Sequence, residues 1–307
     1  MKINDIITQL GEECFDHSAL GSAIGEKVAD RIREKSGFET RFLTSKNSDI
    51  FTIANSLIEL ENLSGRLSSC DFIIVVSEYV VKLIPPPSAF LLSNVKLDNT
   101  LVIDLNRGCS GFCEALVIAN SFFSSGTATG GCIVTAENYS KIIKKSNRTL
   151  SPIFSDAVTF TFLSSDVENK FSWNSGSFYS FKEDLIYDID QGELFMNGAG
   201  LVSFVKSEVI PQIKLLLKDS ENNVFLDYFF VHQGSALIVD AINNSLPNFP
   251  AKAEFLSADL GNTNSSSIPI SIKKTLIDKN LNGNFKCLLS GFGVGLSFCN
   301  VIMDLEI

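Results

Sequence analysis

The hydrophobic positions along the chain follow two alternating rhythms. Short runs of apolar and β-branched residues, bounded by turn-forming residues, recur at 72–76, 101–105, 132–134, 157–163, 225–231, 286–289 and 298–303, and such runs predict strands. Between them, 51–60, 109–122, 201–217 with Pro211 inside it, and 235–244 carry apolar residues at helical spacing. Strand and helix alternate, which predicts an α/β fold. The stretch 164–200 breaks the rhythm. It is rich in Ser, Asp and Asn, holds the only tryptophan, Trp173, and has no clear periodicity before Met196. Such a stretch is a natural boundary, dividing the chain into halves at 1–164 and 165–307. Each half then contains a buried strand leading into a helix that begins with a chemically capable residue, Cys109 in the first and His232 in the second. No sequence repeat accompanies this parallel.

Composition narrows the classes. With 307 residues, 45% of them hydrophobic and 20% charged, the chain can bury one large core or two medium ones and is not a disordered or fibrous sequence. No apolar run reaches the roughly 18 residues of a spanning helix, and the polar start Met1-Lys2-Ile3-Asn4-Asp5 leads into no signal-peptide core. A soluble, unexported protein is therefore expected. Seven cysteines without a CxxC pair, and only two histidines, support neither a disulfide framework nor a metal site, and fit a reducing cytoplasm. A formal charge of −10 disfavours nucleic acid and anionic lipid.

Four segments carry candidate chemistry. In Asp104-Leu105-Asn106-Arg107-Gly108-Cys109-Ser110-Gly111-Phe112 a strand ends, Gly108 permits a tight turn, and Cys109 falls at the start of a helix. Unpaired N–H groups and the positive end of the helix dipole favour a thiolate there. The competing reading is a buried cysteine acting as a small hydrophobe. Phe229-Phe230-Val231-His232-Gln233-Gly234 runs an apolar strand into His232, either a general base or a hydrogen-bonded structural residue, whereas His17 sits in a polar segment and reads as surface. Asp259-Leu260-Gly261-Asn262-Thr263-Asn264-Ser265-Ser266-Ser267 is a polar loop whose Asn262 either aims an amide at an oxygen or simply makes a turn. Ser290-Gly291-Phe292-Gly293-Val294-Gly295-Leu296 allows main-chain N–H groups to approach a ligand, as an oxyanion hole requires. It lacks the Lys-Ser/Thr pair and following helix of a phosphate loop, and a plain turn is its other reading.

Taken together, the order and spacing of these segments resemble the 3-oxoacyl-[acyl-carrier-protein] synthase III family across most of the chain. Gly108-Cys109-Ser110-Gly111-Phe112 resembles the family's nucleophile motif, Val231-His232-Gln233 its histidine motif, and Gly261-Asn262-Thr263 its asparagine motif. Phe292-Gly293-Val294-Gly295 resembles its terminal glycine-rich loop, with Thr135-Ala136-Glu137, Arg148-Thr149 and Phe154-Ser155-Asp156 in order between.

The resemblance implies a thiolase fold, two similar βαβαβαββ halves in an α-β-α-β-α sandwich, assembled as a homodimer. It implies decarboxylative Claisen condensation of an acyl primer, carried by coenzyme A or acyl carrier protein, with a malonyl thioester. Cys109 would be acylated, the N–H groups of Cys109 and Val294 would form the oxyanion hole, and His232 and Asn262 would hold the malonyl carbonyl. Arg31, Lys35 and Arg148 fall where the family contacts the coenzyme A nucleotide. The chain departs from the family in the uncharged Gly234-Ser235-Ala236-Leu237-Ile238, where a basic residue is usual, and at Pro86, which replaces an aromatic. Two further readings stay open: an acyltransferase of the same fold acting on an alcohol or amine, and a non-catalytic partner subunit.

Overall fold

The computed structural model describes residues 1–165, 170–219, 225–249 and 251–306. The chain opens with β1 (Lys2–Leu10), β2 (Glu13–Asp16), α1 (His17–Ile24), α2 (Glu26–Ser36), β3 (Thr40–Leu43), α3 (Ile50–Leu60) and α4 (Ser64–Ser68). It continues through β4 (Phe72–Val76), α5 (Pro87–Leu91), β5 (Leu101–Leu105), α6 (Gly111–Ser124), β6 (Gly130–Glu137) and β7 (Ala157–Ser164). Then follow β8 (Phe171–Ser177), β9 (Leu185–Asp188), β10 (Glu193–Met196), α7 (Gly198–Phe204) and α8 (Ile210–Asp219). The remainder is β11 (Tyr228–Val231), α9 (Ala236–Ser245), α10 (Ser267–Ile272), β12 (Asn284–Gly293) and β13 (Ser297–Glu306).

Strand pairing reveals a duplication that the residues themselves conceal. In the first half the order is β5-β4-β6-β7-β1, with β4 parallel to both β5 and β6, and β6-β7 and β7-β1 antiparallel. In the second, β11 is parallel to β12, and β12-β13 and β13-β8 are antiparallel. Ala253 makes a parallel bridge to Phe229 of β11, standing where β5 stands beside β4. A single pairing, Lys2 with Glu306, joins the two groups. The sequence Phe-Ile-Ile-Val-Val of β4 is apolar throughout because the strand is buried on both faces.

α6 touches β4 and β6 on one side and β12 and β13 on the other, while α10 touches β1, β7 and β11. These two helices form the central layer, which is why α10 is buried at all six residues and α6 has an almost entirely apolar sequence. α3 covers the outer face of the first sheet, and α8 packs on β8 and β13 of the second. The result is the five-layered α-β-α-β-α arrangement that the resemblance implied. Three apolar cores occupy the spaces between layers, centred on Ile58 and Phe160, on Phe112 and Leu289, and on Phe204 and Phe298.

Two local departures have clear causes. The helix expected over 201–217 is interrupted by a π-turn at Val205–Val209 immediately before Pro211. Proline has no N–H to offer the preceding turn, and the wider turn absorbs the loss. Within 164–200, read as aperiodic, the described residues hold β8, which pairs along β13 from Phe171–Met303 to Ser177–Ser297, and the β9-β10 hairpin. Trp173 lies half-exposed on β8 opposite Val301. Residues 166–169 of that stretch lie outside the described residues.

Candidate active site

The two halves converge at the ends of their parallel strands. β5 ends, Gly108 turns the chain with φ +46°, and a short 3-10 turn, Gly108–Ser110, leads into α6. Only glycine fits at 108. A Cβ there would lie 2.6 Å from the Glu78 carboxylate as well as sitting in the left-handed region. Cys109, the second residue of that turn, is 5% exposed. β12 can lie against it because it carries glycines: a Cβ on Gly293 would come within 3.1 Å of the Cys109 sulphur, and one on Gly291 within 2.8 Å of the Cys109 carbonyl oxygen. The main-chain N–H groups of Cys109 and Val294 both reach the sulphur. The glycine-rich run is thus a strand end that brings an N–H donor to the thiol.

His232 follows β11 and keeps strand-like pairing, its N–H donating to Ser290 O at 2.9 Å. Its ring lies edge-on to Phe292, and Nδ1 is 2.9 Å from Ser267 Oγ. Ser267 Oγ also accepts from the Gln233 N–H at 3.4 Å and can give its own proton to Nδ1, an arrangement that pairs with the neutral tautomer carrying its proton on Nε2. Burial pushes the His232 pKa down to about 4, opposed by a hydrogen bond with the Asn264 main chain.

Asn262 is fastened by its backbone: its N–H donates to Ile153 O and its carbonyl accepts from Ser155 N–H, both at 2.9 Å. Gly261, at φ +75°, leaves no room for a Cβ, which would fall 2.3 Å from Ser155 Oγ. The Asn262 side-chain oxygen accepts the Asn264 N–H at 2.9 Å. That contact fixes the amide so that Nδ2 is the end left to donate. Each serine in the run beyond it anchors a different group. Ser265 Oγ donates to Glu137 at 2.7 Å, Ser266 Oγ lies 2.7 Å from Thr135 Oγ1, and Ser267 Oγ holds His232.

Three features escaped the sequence reading. First, the Asn264 side chain reaches the thiol, its Oδ1 lying 3.8 Å from Cys109 Sγ. Asn264 has φ +51° and is 1% exposed. Second, two acids sit below Cys109. The Glu78 carboxylate accepts a short hydrogen bond from Tyr139 Oη, and Glu137 accepts from the Glu78 main-chain N–H at 3.1 Å. Third, they reverse the expected electrostatics. The turn into the helix is present, and the main-chain N–H groups of Cys109 and of Val294, beyond β12, do pull the thiol pKa down, but burial and the charges of Glu78 and Glu137 outweigh them and push it well above its ordinary value. The expected low-pKa thiolate at Cys109 is corrected accordingly: the resting group is a thiol. An acid just beyond the fully apolar β4 was the one signal in the sequence for Glu78. No local signal distinguished Asn264 within its polar run.

Arg31 and Lys35 lie exposed on α2, and Arg148 is exposed in the turn before Ile153. None of the three forms an ion pair among the described residues. α2 packs against α9, which begins four residues after His232, and the Arg148 turn leads into the strand segment that holds Asn262. The three basic residues therefore sit on segments that adjoin those carrying His232 and Asn262. No cluster of metal-ligating residues occurs among the described residues.

Comparison with known proteins agrees with this geometry. Residues 103–179 match the family model described as 3-oxoacyl-[acyl-carrier-protein (ACP)] synthase III, and 222–305 match its C-terminal counterpart. A curated β-ketoacyl-[acyl-carrier-protein] synthase III of Streptococcus agalactiae is 28% identical over 304 residues, covering 92% of this chain and 93% of the relative. The crystal structure of a 3-oxoacyl-(acyl-carrier protein) synthase from Burkholderia xenovorans superposes with a TM-score of 0.89 at 21% identity, covering 99% of this chain and 94% of the other. The priming β-ketosynthase of the R1128 polyketide pathway superposes at 0.86 and 22% identity, covering 99% and 96%. With both halves matched by that family's models and these relatives spanning nearly the full length, the chain belongs to the 3-oxoacyl-[acyl-carrier-protein] synthase III family.

Proposed function

We propose that the protein joins an acyl primer to a malonyl thioester by decarboxylative Claisen condensation. What supports this reading is that two main-chain N–H donors and the Asn264 side chain meet at the buried Cys109 thiol, and that Asn264 is itself hydrogen-bonded to His232 and to Asn262, two side chains able to donate. In the first half-reaction the Cys109 sulphur attacks the carbonyl of an acyl thioester. The N–H groups of Cys109 and Val294 hold the oxyanion, and the donor leaves as a free thiol carrying the Cys109 proton. In the second, His232 Nε2–H and Asn262 Nδ2–H hold the malonyl thioester oxygen while carbon dioxide departs and an enolate forms. Its carbanion attacks the acyl carbon and expels the Cys109 thiolate, giving a 3-oxoacyl thioester. Arg31, Lys35 and Arg148 would receive the phosphates of a coenzyme A donor at the rim. Seven unbridged cysteines fit a reducing, cytoplasmic setting.

Mass mapping tests the first half-reaction. Cys14 is exposed and the other six thiols are buried, so limited iodoacetamide should label Cys14 first, and Cys109 should not outpace it. A short acyl-coenzyme A should instead add its acyl mass at Cys109 alone. An acyl adduct on any other cysteine, or none at all, refutes the assignment.

The family's dimer also suits this chain. β5 is an edge strand, yet it runs parallel to the fully buried β4 and exposes Leu101, and the adjoining loop exposes Val80, Val81, Leu83 and Ile84. Parallel edges and apolar patches of this kind are ordinarily covered. A second copy pairing there would form a homodimer burying above ~2,000 Å² in total. Light scattering should return twice the mass of one chain at micromolar concentration; a monomer contradicts the reading.

A further inference from the structure

Asn264 is a polar side chain at the thiol that the proposed reaction leaves unused. Its Oδ1 faces Cys109 Sγ at 3.8 Å, and its Nδ2 is buried without any hydrogen-bond partner. A buried amide donor left unmade costs free energy that a bound ligand can recover by accepting from it. Nitrogen and oxygen of one carboxamide are about 2.2 Å apart, so Nδ2 lies within about 6 Å of the sulphur. Once Cys109 is acylated, an acceptor on one of the first few acyl carbons falls within its reach. The acyl carbonyl oxygen is not that acceptor in the reaction proposed above, where the N–H groups of Cys109 and Val294, both hydrogen-bonded to the sulphur, take it. Nor is the malonyl carbonyl, which His232 and Asn262 serve. The backbone that carries it is held firmly: the Asn264 N–H is capped by Asn262 Oδ1 at 2.9 Å, and the adjoining Ser265 and Ser266 are tied to Glu137 and Thr135.

We propose that Asn264 selects the acyl group loaded onto Cys109, favouring thioesters with an oxygen on an early acyl carbon, such as 3-hydroxyacyl groups, over plain alkyl chains. The inference rests on the acyl-Cys109 reading above. Loading itself is a balanced exchange, in which the donor thioester and the Cys109 thiol become acyl-Cys109 and a free donor thiol.

Competition decides the matter. Wild-type protein is given equal butyryl-coenzyme A and racemic 3-hydroxybutyryl-coenzyme A, and the two acyl masses on Cys109 are compared at early times. The hydroxylated group should lead by about tenfold or more, since a site built to donate a hydrogen bond rejects the analogue that cannot accept it. In Asn264→Leu, which keeps the bulk and removes the donor, the ratio should fall to about one or below. Asn264→Ser, too short to reach, should lose the preference as well and serves if the leucine variant does not fold by circular dichroism. A wild-type ratio near one, or a preference that survives both substitutions, overturns the selection role while leaving acyl-Cys109 intact. Failure of both thioesters to acylate wild-type Cys109 overturns the condensing reading, and this inference with it.

Discussion

Asn262→Ala should lower condensation by roughly 10²–10³ while leaving much of the acylation of Cys109 in place, the usual loss for removing one oxyanion-type donor. The two half-reactions draw on different groups. Acylation depends on the sulphur and on main-chain N–H groups of Cys109 and Val294, which no side-chain substitution at 262 removes. Decarboxylation depends on side-chain donors. The Asn262 oxygen also caps the Asn264 N–H, so part of the loss will appear as altered placement of Asn264, and Asn262→Asp, which keeps the cap and removes the donor, separates the two effects. Cys109→Ala should abolish the acyl-enzyme yet retain release of carbon dioxide from the malonyl thioester, because both donors to the enolate remain. His232→Ala should impair condensation at least as much as Asn262→Ala. Acyl-enzyme followed by mass and carbon dioxide followed separately give the full pattern. Asn262→Ala with unchanged product formation would remove decarboxylation from the mechanism and favour plain acyl transfer to an alcohol or amine.

Glu78→Gln should move the acylation rate profile of Cys109 toward lower pH, and should change stability in the sense opposite to His232→Gln. Burial raises the Glu78 carboxyl to about 7, with the Tyr139 hydrogen bond pulling it back down, and its charge is one of the causes that raise the Cys109 thiol. Removing that charge lowers the thiol's pKa and yields thiolate at lower pH. For stability, a carboxyl whose folded pKa lies above its ordinary 4.5 contributes fully below 4.5 and loses that contribution as pH rises through 7. Glu78→Gln should therefore compare best with wild type above pH 7. His232 is the reverse case. Its folded pKa of about 4 lies below the ordinary 6.5, so its contribution is full above 6.5 and is lost as pH falls through 4. The difference amounts to ~3 kcal/mol for so buried a ring. His232→Gln should then compare best with wild type at the acid end. Denaturant melts from pH 4 to 8 check both slopes; a Glu78→Gln difference curve that is flat with pH would mean the carboxyl is not held in its neutral form.

What depends on local periodicity and on residue type at a turn was legible in the amino-acid sequence. The strand at 72–76 and the helix over 51–60 form because their apolar spacing can be buried in only one way, and the apolar run at 101–105 adds an edge strand beside β4. Gly108 before Cys109, and Gly261 before Asn262, mark places where only glycine avoids a collision. Those features, with the order of the motifs, sufficed to indicate the family. Tertiary structure decided the rest. β8 was invisible because its polar residues Ser172, Asn174 and Ser175 satisfy a strand whose partner lies more than a hundred residues away. The protonation of Cys109 was misjudged because a helix terminus is a local property, whereas burial and the charges of Glu78 and Glu137 arrive from other strands. Asn264 looked like one more turn residue. It met the thiol only when the second half of the fold was laid against the first, since contact across that seam depends on packing that no spacing along the chain encodes.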